Sequence, residues 1–329
     1  MELIRGLHNL GARGPGCVLS VGNYDGVHRG HQSLLAELRR QAQALGLPAT
    51  VMTFEPTPRE YFAPQQAPRR VLTLRDKLDR LAAHGVDRVL LLRFDARLAR
   101  QSAEAFIHDT LVATLGMRVL VIGDDFRFGA GRRGDYALLA AEAGRGGYRV
   151  MQAPVVQVDA ARCSSTALRA ALAEARLDHA RQLLGTPYAM TGRVRHGKKL
   201  ARTLDMPTAN LPLKRLPPLP YGVYAVRLSV PGRFEQLPGI ASLGVRPTIG
   251  TTPCLLEAHA FGAVGDLYGQ TLRVEFLRFE RPELRFDSLD ALKAQMRRDA
   301  DGVQALFAAG GDDVCRASCG GVPAAHSLT

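Results

Sequence analysis

Between residues 17 and 160, short apolar runs alternate with stretches of helical periodicity, and that alternation leaves few architectures open. Cys17-Val18-Leu19-Ser20-Val21 has the length and apolar character of a buried strand. Leu34, Leu35, Leu38 and Ala42 then recur at the spacing of one helical face. Further strand-like runs lie at Ala49–Phe54, Val89–Leu92, Val119–Ile122 and Tyr148–Met151. Helical patterns over Leu74–Ala83, Ala103–Leu115 and about Tyr136–Ala143 separate them. Strands alternating with helices of this length predict a parallel, doubly wound α/β sheet, with its ligand beyond the carboxyl ends of the strands. Two short helices, near Ser165–Ala173 and Leu177–Leu184, close the module.

From Pro187 the texture changes. Proline and glycine become frequent, and short alternating runs appear at Tyr221–Leu228, Leu255–Phe261 and Leu272–Phe276. Short strands between turn signals predict a small antiparallel barrel. One helix follows, capped near Asp287-Ser288 and carrying Leu289, Leu292, Met296, Val303 and Leu306. At 329 residues the chain exceeds one typical core, so residues 1–186 and 187–310 are expected to form two domains. Residues 311–329 are expected to be a disordered tail.

Lysine and arginine total 43 against 31 acidic residues, a formal charge of +12 that favours an anionic partner. Charge alone does not choose between nucleic acid, phospholipid and a phosphorylated small molecule. The N-terminus lacks a basic stretch leading into an apolar run, and no window approaches a spanning helix, so a soluble cytoplasmic protein without membrane partners is expected. The five cysteines (Cys17, Cys163, Cys254, Cys315 and Cys319) match neither a disulfide framework nor a zinc site.

The segment Gly22-Asn23-Tyr24-Asp25-Gly26-Val27-His28-Arg29-Gly30-His31 joins the first strand to the first helix. Its glycines allow a tight turn, and His28 and His31 share a face at the helix start. A helix N-terminus offers unpaired N–H groups and partial positive charge to an anion. Two imidazoles there make a phosphate site suited to stabilising charge on a phosphorus under attack. A zinc pair is disfavoured, because no third ligand follows at a familiar spacing. Gly129-Ala130-Gly131-Arg132-Arg133-Gly134 fits the dinucleotide fingerprint, but it follows the fourth strand and lacks a suitable acidic partner, so that reading is rejected.

His-x-Gly-His after a first Rossmann-like strand resembles the nucleotidylyltransferase superfamily. Four stretches narrow the resemblance to the bacterial bifunctional riboflavin kinase/FAD synthetase family: Gly22–His31, Phe54-Glu55-Pro56-Thr57-Pro58, Gly123-Asp124-Asp125-Phe126-Arg127-Phe128-Gly129 and Ser164-Ser165-Thr166-Ala167-Leu168-Arg169. The likeness runs in order to about residue 308. It implies an N-terminal Rossmann-like FMN adenylyltransferase domain, followed by a small antiparallel β-barrel riboflavin kinase domain with a C-terminal helix. The substrates implied are riboflavin, FMN and ATP, with magnesium and no nucleic acid. On this resemblance Gly22, Asn23, Asp25, His28, His31, Ser164, Ser165, Thr166 and Arg169 face ATP in the first domain. The histidines are its catalytic pair, and Phe54, Asp125, Phe126 and Phe128 receive the flavin of FMN.

The chain has no Walker sequence, so a kinase here must hold ATP differently. Arg193, Arg195, Lys198, Lys199, Arg202, Lys214 and Arg215 stand against only Asp205, an excess that suits ATP, RNA or a solvated face equally. Pro207-Thr208-Ala209-Asn210 resembles the riboflavin kinase signature. The resemblance implies magnesium on Thr208 and Asn210, ATP contacts from Lys198, Arg202, Pro207, Thr208 and Asn210, and Glu257 as catalytic base. Oxygen ligands suit that hard ion. Departures are Tyr24 for the usual Phe, Thr57 for the usual His, and Ala201 and Asp205 for two glycines. Two other readings stay open: adenylylation alone, with a barrel that only binds flavin, and an RNA-binding protein. The latter would need an aromatic stacking surface, and tryptophan is absent.

Overall fold

A computed structural model describes residues 1–10, 16–196, 207–245 and 254–310. The chain forms two compact units, Met1–Pro68 with Leu72–Ser164, and Arg69–Val71 with the chain from Ser165 onward.

In the first unit β1 (Glu2–Arg5), β2 (Cys17–Val21), β3 (Ala49–Phe54), β4 (Arg88–Leu92), β5 (Met117–Ile122) and β6 (Arg149–Gln152) form one sheet in the order β1-β4-β3-β2-β5-β6. Every pairing is parallel. All residues of β2 and β3 are buried, as strands covered on both faces require. The chain winds outward from β2 through β3 and β4, then restarts at β5 on the other side. The strand order therefore reverses between β2 and β5, and the crevice beyond their carboxyl ends is the natural ligand position.

The helices are α1 (Arg29–Leu45), α2 (Pro58–Phe62), α3 (Leu74–Ala83), α4 (Ala96–Arg100), α5 (Ala103–Ala105) and α6 (Tyr136–Gly146). α1 buries Leu34, Leu35, Leu38 and Ala42, and stops at Gly46, whose φ of 61° suits a residue without a β-carbon. The helix expected over Ala103–Leu115 differs in kind. After α5 the chain continues as a π-helix over Phe106–Thr114. Its buried residues, Phe106, Ile107, Thr110 and Leu111, share a face in either register, so periodicity does not separate the two. β1 leaves no mark in the sequence pattern. It is a four-residue edge strand with one buried side chain, too little for a periodicity. A two-stranded ribbon, β7 (Gln157–Val158) with β8 (Ala161–Arg162), ends the unit.

The second unit begins with α7 (Ser165–Ala173) and α8 (Leu177–Leu184), at the bounds the sequence predicts. β9 (Tyr188–Arg193), β10 (Ala209–Leu213), β11 (Gly222–Val230), β12 (Phe234–Gly244), β13 (Cys254–Ala260) and β14 (Thr271–Pro282) then form an antiparallel sheet ordered β10-β13-β12-β11-β14-β9. A bridge between Arg195 and Asn210 nearly closes it into a barrel. Leu211, Tyr224, Val226, Leu243, Leu256, Ala258, Val274 and Phe276 are buried and alternate along their strands. β11 is buried on both sides, because Val223 and Ala225 pack with Ile240 against α9 (Leu289–Gly310) through Val303, Leu306 and Phe307. Ser288 caps that helix, its Oγ accepting from the Ala291 N–H at 3.1 Å. The tail, with Cys315 and Cys319, lies outside the described residues.

Candidate functional sites

The loop after β2 is held in a costly conformation. Tyr24 and Val27 take φ of 49° and 45°, flanking Gly26 at 96°. A β-branched residue in the left-handed region is a genuine outlier, and such strain gathers at functional sites. Surrounding bonds hold it there. Gln32 donates from Nε2 to the Val27 carbonyl at 2.9 Å, and the Leu72 N–H donates to Asp25 Oδ1 at 3.4 Å. Arg80 donates to the Gly26 carbonyl at 3.4 Å. The Tyr24 hydroxyl, the departure from phenylalanine, donates to Ser20 Oγ at 2.7 Å, which donates to the Val121 carbonyl at 2.6 Å. That chain satisfies the added buried hydroxyl.

His28 is the N-cap of α1, and its Nδ1 accepts from the His31 backbone N–H at 3.4 Å. An accepting Nδ1 places the proton of the neutral ring on Nε2. The His28 and His31 rings stack with centroids 3.8 Å apart. Gly30 makes this possible, since a β-carbon there would lie 3.2 Å from the His28 ring and from the Cys163 carbonyl. Burial first, then His28, then Lys77 hold the His31 imidazole well below the usual histidine range, so it is neutral at pH 7. Its Nδ1 is buried with no hydrogen-bond partner among the described residues. Cys163 Sγ lies 3.7 Å from His28 Nδ1. The result is a strained loop delivering two stacked imidazoles, that of His31 neutral, to a helix N-terminus beside the point where the strand order reverses.

The other expected ATP residues are placed as follows. Gly22 leaves β2 with its N–H donating to the Met52 carbonyl at 3.1 Å. Asn23 is exposed, and its carbonyl accepts from Thr53 Oγ1 at 3.5 Å. Ser164 ends the first unit, while Ser165, Thr166 and Arg169 lie on α7 in the second, half-buried except for the exposed Thr166. Thr57, which stands in for a histidine, has structural work. Its hydroxyl caps α2 in a capping box with Glu60.

Of the residues expected at the flavin, Phe54 and Phe128 belong to the core, each 8% exposed. Phe126 stacks on Phe128 at 5.3 Å, and exposed Asp125 faces Arg162 at 3.3 Å. Sequence reasoning missed an aromatic nest nearby. Phe94 packs edge-on against Phe54 at 5.7 Å, Tyr61 at 5.4 Å and Phe62 at 5.6 Å, with Phe62 itself 66% exposed. The available signal was the Tyr61-Phe62 pair on a helix too short to bury both. The rejected glycine fingerprint serves packing: a β-carbon on Gly129 would strike Ala103 at 2.7 Å, and one on Gly134 the Phe128 ring at 2.6 Å.

In the barrel unit Asn210 pairs with Glu257 across β10 and β13, and Ser242 of β12 faces Glu257 on the other side. Residues directly opposite share a face, so the three side chains form one row. Asn210 is 7% exposed, and its Oδ1 has no hydrogen-bond partner among the described residues. Its Nδ2 donates to the Thr208 carbonyl at 3.3 Å. His259 donates from Nδ1 to the Pro207 carbonyl at 2.9 Å, tying the Pro-Thr-Ala-Asn segment to the Glu257 strand. Lys198 and Arg202, with the neighbouring Ala201 and Asp205, lie outside the described residues. Among the described residues, no group of three or more His, Cys, Asp or Glu is placed to hold a metal.

A histidine-bearing loop on a doubly wound parallel sheet, followed by an antiparallel barrel with its own polar row, defines a two-unit protein of the α/β-plus-barrel class. Two family models match, FAD synthetase over residues 12–167 and riboflavin kinase over residues 184–307. The bifunctional riboflavin kinase/FMN adenylyltransferase of Escherichia coli strain K12 is 48% identical, over 91% of this chain and 96% of its own length. Those of Pseudomonas fluorescens and Haemophilus influenzae are 47% and 46% identical, over 94% and 93% of this chain and 98% and 99% of theirs. The chain belongs to the bifunctional riboflavin kinase/FMN adenylyltransferase family. A crystal structure described as a macrolide-efflux protein from Streptococcus pneumoniae shares the fold with TM-score 0.72 and 27% identity, covering 92% of this chain and 98% of that one. Among the described residues no helix is long and apolar enough to cross a membrane.

Proposed function

We propose that this protein carries out two consecutive transfers from ATP: it phosphorylates riboflavin to FMN, then adenylylates FMN to FAD with release of pyrophosphate. The observation that carries this reading is the match of full-length bifunctional relatives across both units. Residues 1–186, which add α7 and α8 of the second compact unit to the first, form the adenylyltransferase domain and residues 187–310 the kinase domain.

In adenylyl transfer an oxygen of the FMN phosphate attacks the α-phosphorus of ATP, and the electron pair of the breaking P–O bond leaves with pyrophosphate. The nucleophile is already anionic, so positioning and charge stabilisation suffice. His28 and His31 donate N–H to the phosphate oxygens, with the α1 N-terminus adding its partial charge. Gly22, Asn23 and Asp25 shape the cradle, and Ser164, Ser165, Thr166 and Arg169 serve the departing phosphates. Phe126 and Asp125 face the flavin, with Phe54 and Phe128 beneath. The exposed Tyr61 and Phe62, packed on half-buried Phe94, offer the ring a stacking surface.

Riboflavin phosphorylation differs, because its hydroxyl nucleophile must lose a proton. Glu257 takes that proton. The Asn210 Oδ1, which has no hydrogen-bond partner among the described residues, fits a hard cation; with the Thr208 hydroxyl it would hold magnesium, which would neutralise charge on ATP when bound. Pro207 lines the nucleotide, with Lys198 and Arg202 supplying cations. A cytoplasmic location and the absence of nucleic-acid and membrane partners complete the proposal.

The test is direct. Incubated with riboflavin, ATP and magnesium, the protein is expected to yield FMN and then FAD on chromatography. FAD formed only from supplied FMN would reduce the barrel to flavin binding.

A further inference from the structure

On the helix tied to the histidine loop the protein buries a lysine. Lys77, on α3, is 1% exposed, among the largest fully buried side chains of the protein. Burying an ammonium costs several kcal/mol even when it is partnered, and a Leu or Met would complete the apolar face of α3 without that cost. The helix that carries it is tied to the phosphate loop at both ends. Leu72, just before α3, donates to Asp25, and Arg80, near its end, donates to the Gly26 carbonyl. Lys77 sits between these two anchors, close enough for its charge to act on the His31 ring.

We propose that Lys77 is a positioning residue for adenylyl transfer, a fixed positive charge on the helix tied to the histidine loop. Two consequences follow for the FMN-to-FAD reaction on which this inference rests. The ammonium draws the triphosphate into the crevice from a side that solvent cannot screen. It also opposes a positive charge on the His31 imidazole, keeping that ring neutral. The positive charge then stays on the lysine and off the His31 ring. The groups that bear on His31 are His28 at the N-cap of α1, Lys77 on α3, and Tyr24 of the loop, its ring 5.0 Å away. Asp25 and Arg80 flank the same loop, and Cys163 reaches it through His28.

The full-length protein supplies its own control, because riboflavin phosphorylation occurs in the other unit. In Lys77→Met, FAD formation from supplied FMN is expected to fall about tenfold or more, with riboflavin phosphorylation within about twofold of wild type. Losing the ammonium removes one cause of the low His31 pKa, so the acidic limb of the FAD pH profile should move to higher pH. Lys77→Arg, which keeps the charge, should restore most of the rate and return the limb. A merely structural lysine would not move that limb. Unchanged FAD formation in Lys77→Met, or a loss with the limb in place, overturns the proposal. If Lys77→Met loses both activities together, the neutral Lys77→Gln decides on the same two readouts. Wild-type protein that makes no FAD would instead sink the functional reading, a separately visible result.

Discussion

Replacing Asn210 by leucine should make the protein more stable and a worse kinase. The buried Asn210 Oδ1 has no hydrogen-bond partner among the described residues, while Nδ2 donates to the Thr208 carbonyl at 3.3 Å. An unmatched buried acceptor costs about 1–3 kcal/mol, whereas one neutral hydrogen bond contributes about 0.5–1.5 kcal/mol net. Leucine has nearly the same shape, so it removes the orphan and the bond together and packs apolar surface at a site 7% exposed. The net expectation is a gain of about 1 kcal/mol, seen as a rise of a few degrees in the unfolding midpoint without nucleotide or divalent cation. Riboflavin phosphorylation should fall at least about a hundredfold, as loss of a preorganised electrostatic group implies. FAD formation from supplied FMN should not change. Calorimetry and flavin chromatography on one preparation give both answers. A variant that melts lower than wild type and still phosphorylates riboflavin normally would refute the reasoning, because the orphan oxygen would then be neither a stability cost nor a reserved ligand.

Other predictions address the remaining groups. Glu257→Gln should slow riboflavin phosphorylation by about 10²–10⁴-fold, the usual contribution of a general base, and spare FAD formation; equal loss of both would remove the assignment. Gly30→Ala places a β-carbon 3.2 Å from the His28 ring, so FAD formation should drop while FMN formation holds, and a structure of the variant should show the ring displaced. His31 gives stability a pH dependence of known sign. Its folded pKa lies well below the ordinary 6.5, so the unfolded chain binds more protons at acid pH. Stability should therefore decline as pH falls below about 6.5, by up to about 1.4 kcal/mol per pH unit until the folded pKa is reached. His31→Gln, compared with wild type in melts at pH 5 and pH 7, should flatten that slope.

The first unit was legible from sequence because its architecture is local. Its central strands β2 to β5 are buried apolar runs, its longer helices α1 and α3 carry amphipathic repeats, and the chain order fixes which strand ends carry the loop. His28 and His31 meet because helix geometry brings together residues three apart, and Gly30 clears the space they need. What stayed hidden depended on partners distant in sequence. Phe54 gave no sign that Phe94 would pack on it, nor Lys77 that it would be buried on α3 with its charge acting on His31. The π-helix after α5 escaped for another reason, its buried face being common to both registers.

The barrel reverses this balance. β9, β10 and β12 carried too few apolar residues, or too many turn formers, to be marked as strands. Asn210 and Glu257 stand 47 positions apart, and only the antiparallel register of β10 with β13 makes them neighbours. Without that register a glutamate on an alternating strand is simply a solvated side chain; with it, the carboxylate faces an amide whose oxygen has no hydrogen-bond partner among the described residues. The two transfers thus rest on different physical footings. Adenylyl transfer, as proposed, uses an anionic nucleophile and centres on donors at a helix terminus, which a ten-residue segment encodes. Phosphorylation, as proposed, needs a base beside a cation site, and the pairing of β10 with β13 brings those pieces together.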